Sequence, residues 1–200
     1  MISEPTRRGF LGGAMALTLT GAAAPALALD ENSARRLIDE VVRDINAVID
    51  SGKSEQAMYA EFGRIFTRYS DVPTIARYAL GVDSRRASAA QMAAFTDAFK
   101  DYISRKYGKR FREFIGGRIE VQSAQRVKSF YEVRTTAFLR GEAPFDVTFL
   151  VSDRSGRDLF FNMFIEGVNM LLTERTEIGA MLDRRRGDLD AMIADLRTAG

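Results

Sequence analysis

Apolar residues recur at intervals of three and four along the first half of the chain. Between Asp30 and Asp50 they fall at Leu37, Ile38, Val41, Val42, Ile45, Val48 and Ile49, the signature of an amphipathic helix, and Gly52 ends it. Ser54 is placed to cap a second helix that carries Met58, Phe62, Ile65, Phe66 and Tyr69. Asp71-Val72-Pro73 opens a short third helix closed by Gly81. Ser88 and Gln91 form a capping box ahead of a long helix through Met92, Phe95, Phe99, Tyr102, Ile103 and Tyr107, with Phe111 and Phe114 continuing its phase. After Gly116-Gly117 the period drops to two. Short strands are expected over Ile119–Gln122, Tyr131–Leu139, Phe145–Val151 and Leu159–Ile165, separated by turns rich in Gly, Pro and Asp. The helical period then returns from Val168 to Leu182 and from Leu189 to Leu196. Helices, a meander and helices again make one α+β domain, its helices packed on a curved four-stranded antiparallel sheet.

Composition removes most catalytic chemistry. The 200 residues contain no Cys, His or Trp, so disulfides, thiolate nucleophiles, imidazole bases and Cys- or His-ligated metals are excluded. Lys and Arg number 29 against 27 Asp and Glu, a balance that argues against a nucleic-acid partner. Fourteen Phe and six Tyr are the informative excess. They sit on helix faces and on the sheet face that must meet them. A large filled core explains them, and so does an apolar pocket enclosed between helices and sheet, because both need inward apolar side chains. On the pocket reading, the helix and strand phases nominate Ile75, Tyr78, Phe95, Phe99, Tyr102, Val133, Ala137, Val147, Phe149, Phe161, Met163, Ile165, Val168 and Leu171 as its lining.

Polar candidates are few. Glu166, ahead of Gly167, is expected to cap the following helix, with a base in a dry pocket as the alternative. An isomerase- or dehydratase-like enzyme would have only Glu166, Asp146 and Tyr131 to work with. The expected assignment is therefore no enzyme, no metal and no cofactor. Arg184-Arg185-Arg186 suits a solvated helix end, with a docking patch for an acidic partner or for lipid headgroups as the alternative. At the start of the chain, Arg7-Arg8-Gly9-Phe10-Leu11, an apolar stretch and Ala26-Leu27-Ala28 have the layout of a cleaved, twin-arginine-like export signal over residues 1–28. Residues 29–200 then form the working domain, outside the cytoplasm.

Two separated motifs resemble the MlaC/toluene-tolerance family of periplasmic phospholipid carriers. They are Ile75-Ala76-Arg77-Tyr78-Ala79-Leu80-Gly81, followed by Ala87-Ser88 and Phe95–Phe99, and Ile165-Glu166-Gly167-Val168-Asn169 followed by Arg175. The order of elements fits over roughly residues 33 to 197. This chain departs from the family pattern where aromatics usually follow Gly81, and it has Asn169 where Ser is usual. The resemblance implies a soluble carrier that shields the tails of a phospholipid in its pocket. It implies delivery between an outer-membrane lipoprotein–porin complex and an inner-membrane ABC transporter with a lipid-binding ring, in support of outer-membrane lipid asymmetry. A hopanoid is the second cargo it suggests.

Overall fold

Asp30 opens the first helix. Its carboxylate accepts the Ser33 amide at 2.7 Å, and the Ser33 hydroxyl accepts the Asp30 amide at 2.8 Å. This reciprocal cap satisfies donors that a helix start leaves free. In the computed structural model of the protein, residues 29–109 and 114–200 are described. The expected export signal and Phe111 lie outside the described residues. Helix α1 (Glu31–Ile49) buries Ala34, Ile38, Val41, Val42, Val48 and Ile49. Ser54 caps α2 (Glu55–Tyr69), and Asp71 caps α3 (Val72–Leu80), with Pro73 in its first turn. A 3-10 turn at Gly81–Arg85 leads to α4 (Ala89–Gly108), which starts at the Ser88–Gln91 capping box. The Ser88 hydroxyl accepts the Gln91 amide at 3.1 Å and the Gln91 side chain accepts the Ser88 amide at 3.1 Å. Ser88→Ala is therefore expected to lower the unfolding free energy by about 1 kcal/mol in a urea titration. An unchanged midpoint would show that this cap adds nothing to stability.

Helix α4 stops at Gly108, short of the expected continuation to Phe114. A Cβ at Gly108 would stand 2.7 Å from the Tyr59 ring, so α2 and α4 approach there at glycine distance. Phe114 instead meets Phe145 edge-on, with ring centroids 6.4 Å apart.

The sheet is an antiparallel meander of β1 (Arg118–Val127), β2 (Phe130–Phe138), β3 (Phe145–Ser152), β4 (Leu159–Ile165) and β5 (Val168–Asn169), paired in that order. Helices α5 (Met170–Arg184) and α6 (Leu189–Leu196) complete the order. The first strand runs past the expected Gln122, through a register shift between Val121 and Ser123. That strand is a sheet edge, and α1 covers it. The Asn46 side chain donates to the Ile119 carbonyl at 3.3 Å and accepts the Ile119 amide at 3.2 Å, while Arg35 donates to the Val121 and Gln122 carbonyls. The edge groups of Ile119, Val121 and Gln122 are thus satisfied within the chain and are not left to template another strand.

A bulge explains why the fourth strand reads as apolar on both faces. Leu150 pairs with Asn162 and Val151 with Phe160, so Phe161 is the extra residue. Phe160 packs inward, edge-on to Phe149 at 5.6 Å. Phe161 meets Phe130 at 5.8 Å.

The fifth strand was not expected. Glu166 (φ 49°) and Gly167 (φ 79°) both take left-handed backbone, the geometry of a tight two-residue hairpin turn. This turn folds the chain back so that Ile165 pairs with Val168. It also corrects the expected role of Glu166, because the cap of α5 is Asn169, which accepts the Leu172 amide at 3.1 Å. Buried Asn162 fixes that start, donating to Asn169 at 3.1 Å and accepting the Leu171 amide at 3.2 Å. At the other end of α5, Arg185 of the basic run donates to both Asp195 carboxylate oxygens at 2.6 Å.

Candidate functional site: an apolar cavity with a carboxylate in its wall

Helix α1 packs chiefly on β1, with fewer contacts to β2 and β3, so the cavity forms over the β3–β4 half of the inner face. There, Val147, Phe149, Met163 and Ile165 line one side. Phe66, Ile75, Phe99, Ile103 and Leu171, from α2, α3, α4 and α5, line the other. The space between them is about 570 Å³, within the range of small-molecule sites. Glu142 and Ala143, in the turn between β2 and β3, and Glu166, in the hairpin turn, are its exposed members.

Eight of the residues nominated from the sequence line this cavity: Ile75, Phe99, Val147, Phe149, Phe161, Met163, Ile165 and Leu171. Six do not. Tyr78 lies on the solvent side of α3, 41% exposed, with the Arg175 guanidinium 5.2 Å from its ring centroid. Val168 sits in the short edge strand and is 55% exposed. Phe95 is fully enclosed in the core, its ring centroid 5.7 Å from that of Phe99. Tyr102 turns its hydroxyl to Glu177 at 2.6 Å. Val133 and Ala137 are fully buried on β2, outside the lining of the cavity. For Phe95, Tyr102, Val133 and Ala137 the phase points inward and depth along that direction separates wall from core, whereas Tyr78 and Val168 face solvent.

Several lining residues carried the same helical phase and were not nominated: Ile45, Phe62, Phe66 and Tyr107. The most informative omission is Glu174. It interrupts the apolar stripe Leu171, Ile178, Met181 and Leu182 on the buried side of α5, a sequence signal that marks an unusual carboxylate. Glu174 is 3% exposed and lines the cavity. Its Oε1 accepts the Tyr107 hydroxyl at 2.5 Å and the Lys106 ammonium at 2.8 Å. Lys106 also reaches Glu177 at 2.6 Å. Burial, reinforced by the neighbouring carboxylates, pushes the Tyr102 and Tyr107 hydroxyls up, so both remain donors. Burial also acts to raise the Glu177 carboxyl, but hydrogen bonds from Lys106 and Tyr102 outweigh it and hold that group below its usual range.

Of the three enzyme candidates, Glu166 alone lines the cavity. The Tyr131 hydroxyl donates to the Leu29 carbonyl at 3.0 Å. Asp146 and Glu166 meet through their backbones, the Glu166 amide donating to the Asp146 carbonyl at 2.9 Å. Among the described residues no helix is long and apolar enough to cross a membrane.

A solved structure, a phospholipid-binding protein from Ralstonia solanacearum in complex with a phospholipid, has the same fold: TM-score 0.68 at 19% identity, over 82% of this chain and 98% of that one. The family model described as MlaC protein matches residues 35–198. The chain belongs to the MlaC family.

Proposed function

We propose that the protein is a periplasmic carrier that binds phospholipid in the cavity beneath β3 and β4 and moves it between membrane complexes. One observation carries the reading: an MlaC-family fold holds an aromatic and aliphatic cavity of about 570 Å³ in this chain. The fold neighbour, itself a phospholipid-binding protein, supports the choice of ligand class. Burial of acyl chains supplies the affinity, at about 0.8 kcal/mol for each CH₂ removed from water. Residues 1–28 act as the export signal. Cleavage after Ala28 leaves Leu29 first, buried and held through its carbonyl by Tyr131. The cargo passes between an outer-membrane lipoprotein–porin complex and an inner-membrane ABC transporter with a lipid-binding ring, in support of lipid asymmetry. The protein is a binding protein rather than an enzyme, a reading supported by the MlaC family match and the phospholipid-binding fold neighbour.

The test is mass spectrometry of the mature protein exported in a Gram-negative host and purified without detergent. Near-stoichiometric diacyl phospholipid is the expected result. An empty protein that also takes up no lipid from vesicles would overturn the carrier reading. A hopanoid, from a host that makes one, would replace phospholipid as the cargo.

A further inference from the structure

The exposed apolar side chains gather on one side of the molecule. Among the described residues five large ones are exposed, and four of these, Tyr78, Val82, Val168 and Leu172, lie on α3, on α5 and on the short segments that adjoin them. Contiguous apolar exposure of this kind marks an interaction site. Helices α3 and α5 pack side by side. Their inner sides give Ile75 and Leu171 to the cavity, so the patch lies on the back of two cavity walls. Arg175 stands within it, one turn of α5 beyond Leu172. Its guanidinium is 5.2 Å from the Tyr78 ring centroid. It also lies against Gly81, where φ is 66° and a Cβ would come within 3.2 Å of Arg175 Nε. A glycine and an aromatic ring thus seat the cation. Arg175 is half-buried and makes no hydrogen bond or ion pair to any described residue. The charges beside it are lopsided. Arg77, Arg85 and Arg86 are exposed on the last turn of α3 and in the 3-10 segment after it. Asp83, the lone carboxylate of that stretch, is held by Arg86 at 2.6 Å. On α5, Glu177 is engaged by Lys106.

We propose that the back of α3 and α5 is a docking surface for a protein partner that presents an acidic side chain to Arg175 within a ring of apolar contact. This rests on the carrier reading and names the face that meets a membrane complex. A guanidinium held by a ring and a glycine offers a planar pair of N–H donors, which a carboxylate accepts in bidentate fashion. Tyr78, Val82 and Leu172 surround it and exclude water on contact, the setting in which an arginine carries a large share of the binding energy. Arg77 and Arg85 add attraction at a distance for an acidic partner. A bilayer surface requires no such fixed geometry, because flexible exposed cations serve it as well.

The test measures binding of the exported protein to two immobilised probes from the same bacterium, the purified ABC transporter with its lipid-binding ring and the purified lipoprotein–porin complex. Lipid content is measured on the same samples by mass spectrometry. Wild type is expected to bind at least one complex, with an affinity that falls as salt rises. Arg175→Glu should raise that Kd roughly thirtyfold or more, as loss of a central arginine does. Arg175→Lys, which keeps the charge and loses the planar fork, should fall between. Lipid content should stay at the wild-type value in both, because Arg175 lies outside the cavity lining. A folded Arg175→Glu variant that binds both complexes as wild type does overturns the proposal. Where that substitution prevents folding, Val82→Asp decides in its place, since Val82 is 66% exposed and an acid there should weaken binding about tenfold. Wild type that binds neither complex also overturns the proposal. Capture by phosphatidylglycerol vesicles in that case, lost in Arg175→Glu, would give the patch to a lipid surface instead. Lipid found in wild type keeps its lipid-binding role standing through each of these failures, whereas wild type without lipid overturns the carrier reading itself.

Discussion

Val147→Trp is expected to yield a folded protein that no longer holds lipid. Val147 points from the middle of β3 into the cavity and is itself buried. Its backbone role is independent of its side chain, because the buried Thr135 hydroxyl donates to the Val147 carbonyl at 2.9 Å. In a filled core a valine-to-tryptophan change would cost about 1–3 kcal/mol or more through overpacking. Here the indole enters about 570 Å³ of open space, where it buries apolar surface that replaces the ligand's own. The delipidated variant should therefore melt at or above the temperature of delipidated wild type, while bound lipid falls to a small fraction of the wild-type amount. Adding lipid should raise the wild-type Tm through linkage and leave the Tm of the variant unmoved. A folded variant with wild-type lipid content would show that cargo does not occupy this cavity.

Phe95→Ala is expected to do the reverse. Phe95 is fully buried in α4, with its ring packed at 5.7 Å from Phe99, and it lies outside the cavity lining. Removal of a buried aromatic ring costs about 3–5 kcal/mol, by lost transfer energy and by the void left behind. Against the 5–15 kcal/mol typical of a domain, that loss should be visible as a large fall in the urea midpoint. Lipid bound per folded molecule should stay at the wild-type value at low temperature. A loss of stability under about 1 kcal/mol would mean the site collapses around the deletion. A fall in lipid per folded molecule would place Phe95 in the cavity wall after all. The pair of variants separates two jobs that one apolar pattern performs, filling a core and enclosing a ligand.

On the carrier reading proposed above, the margin of the cavity bears on how the load is given up. Apolar burial scales with chain length and holds any lipid of suitable tails. Helix α5, which contributes Leu171 to the cavity, has its start pinned to β4 by Asn162. A partner that moved the hairpin turn at Glu166–Gly167 would thus act on the cavity's margin and on the α5 start together. Binding energy differing between the two arrangements is what such a release step requires.

Local chemistry made much of the fold readable in advance. The Ser88–Gln91 box, Ser54 and Asp71 each cap the helix that their side chains indicate, since capping involves residues within three positions of one another. The change from a period near 3.6 to a period of two marked the passage from helices to sheet. Hairpin connections between consecutive strands then left an antiparallel meander as the simple pairing. The fifth strand escaped notice because two residues are too few to show a period. The hairpin turn at Glu166 is not legible locally, because its left-handed backbone depends on Ile165 finding Val168 across the sheet.

The chain by itself determined most of the residues that turn inward, because the side-chain period of a helix or strand is a local property of the backbone; Tyr78 and Val168, which face solvent, are exceptions. It also determined the absence of thiol and imidazole chemistry, which is a matter of composition alone. Whether an inward residue meets another side chain or empty space was decided only in three dimensions. Phe95 and Phe99 share one stripe of α4, yet Phe99 reaches the cavity and Phe95 does not. The difference arises from elements distant in sequence: α1 covers the β1 side of the sheet, while α2, α3, α4 and α5 surround the β3–β4 half. The same holds for Glu174, whose partners Lys106 and Tyr107 lie 68 and 67 residues away. Periodicity records direction from the helix axis, whereas depth, enclosure and the partners of a buried charge are set by how separate elements pack.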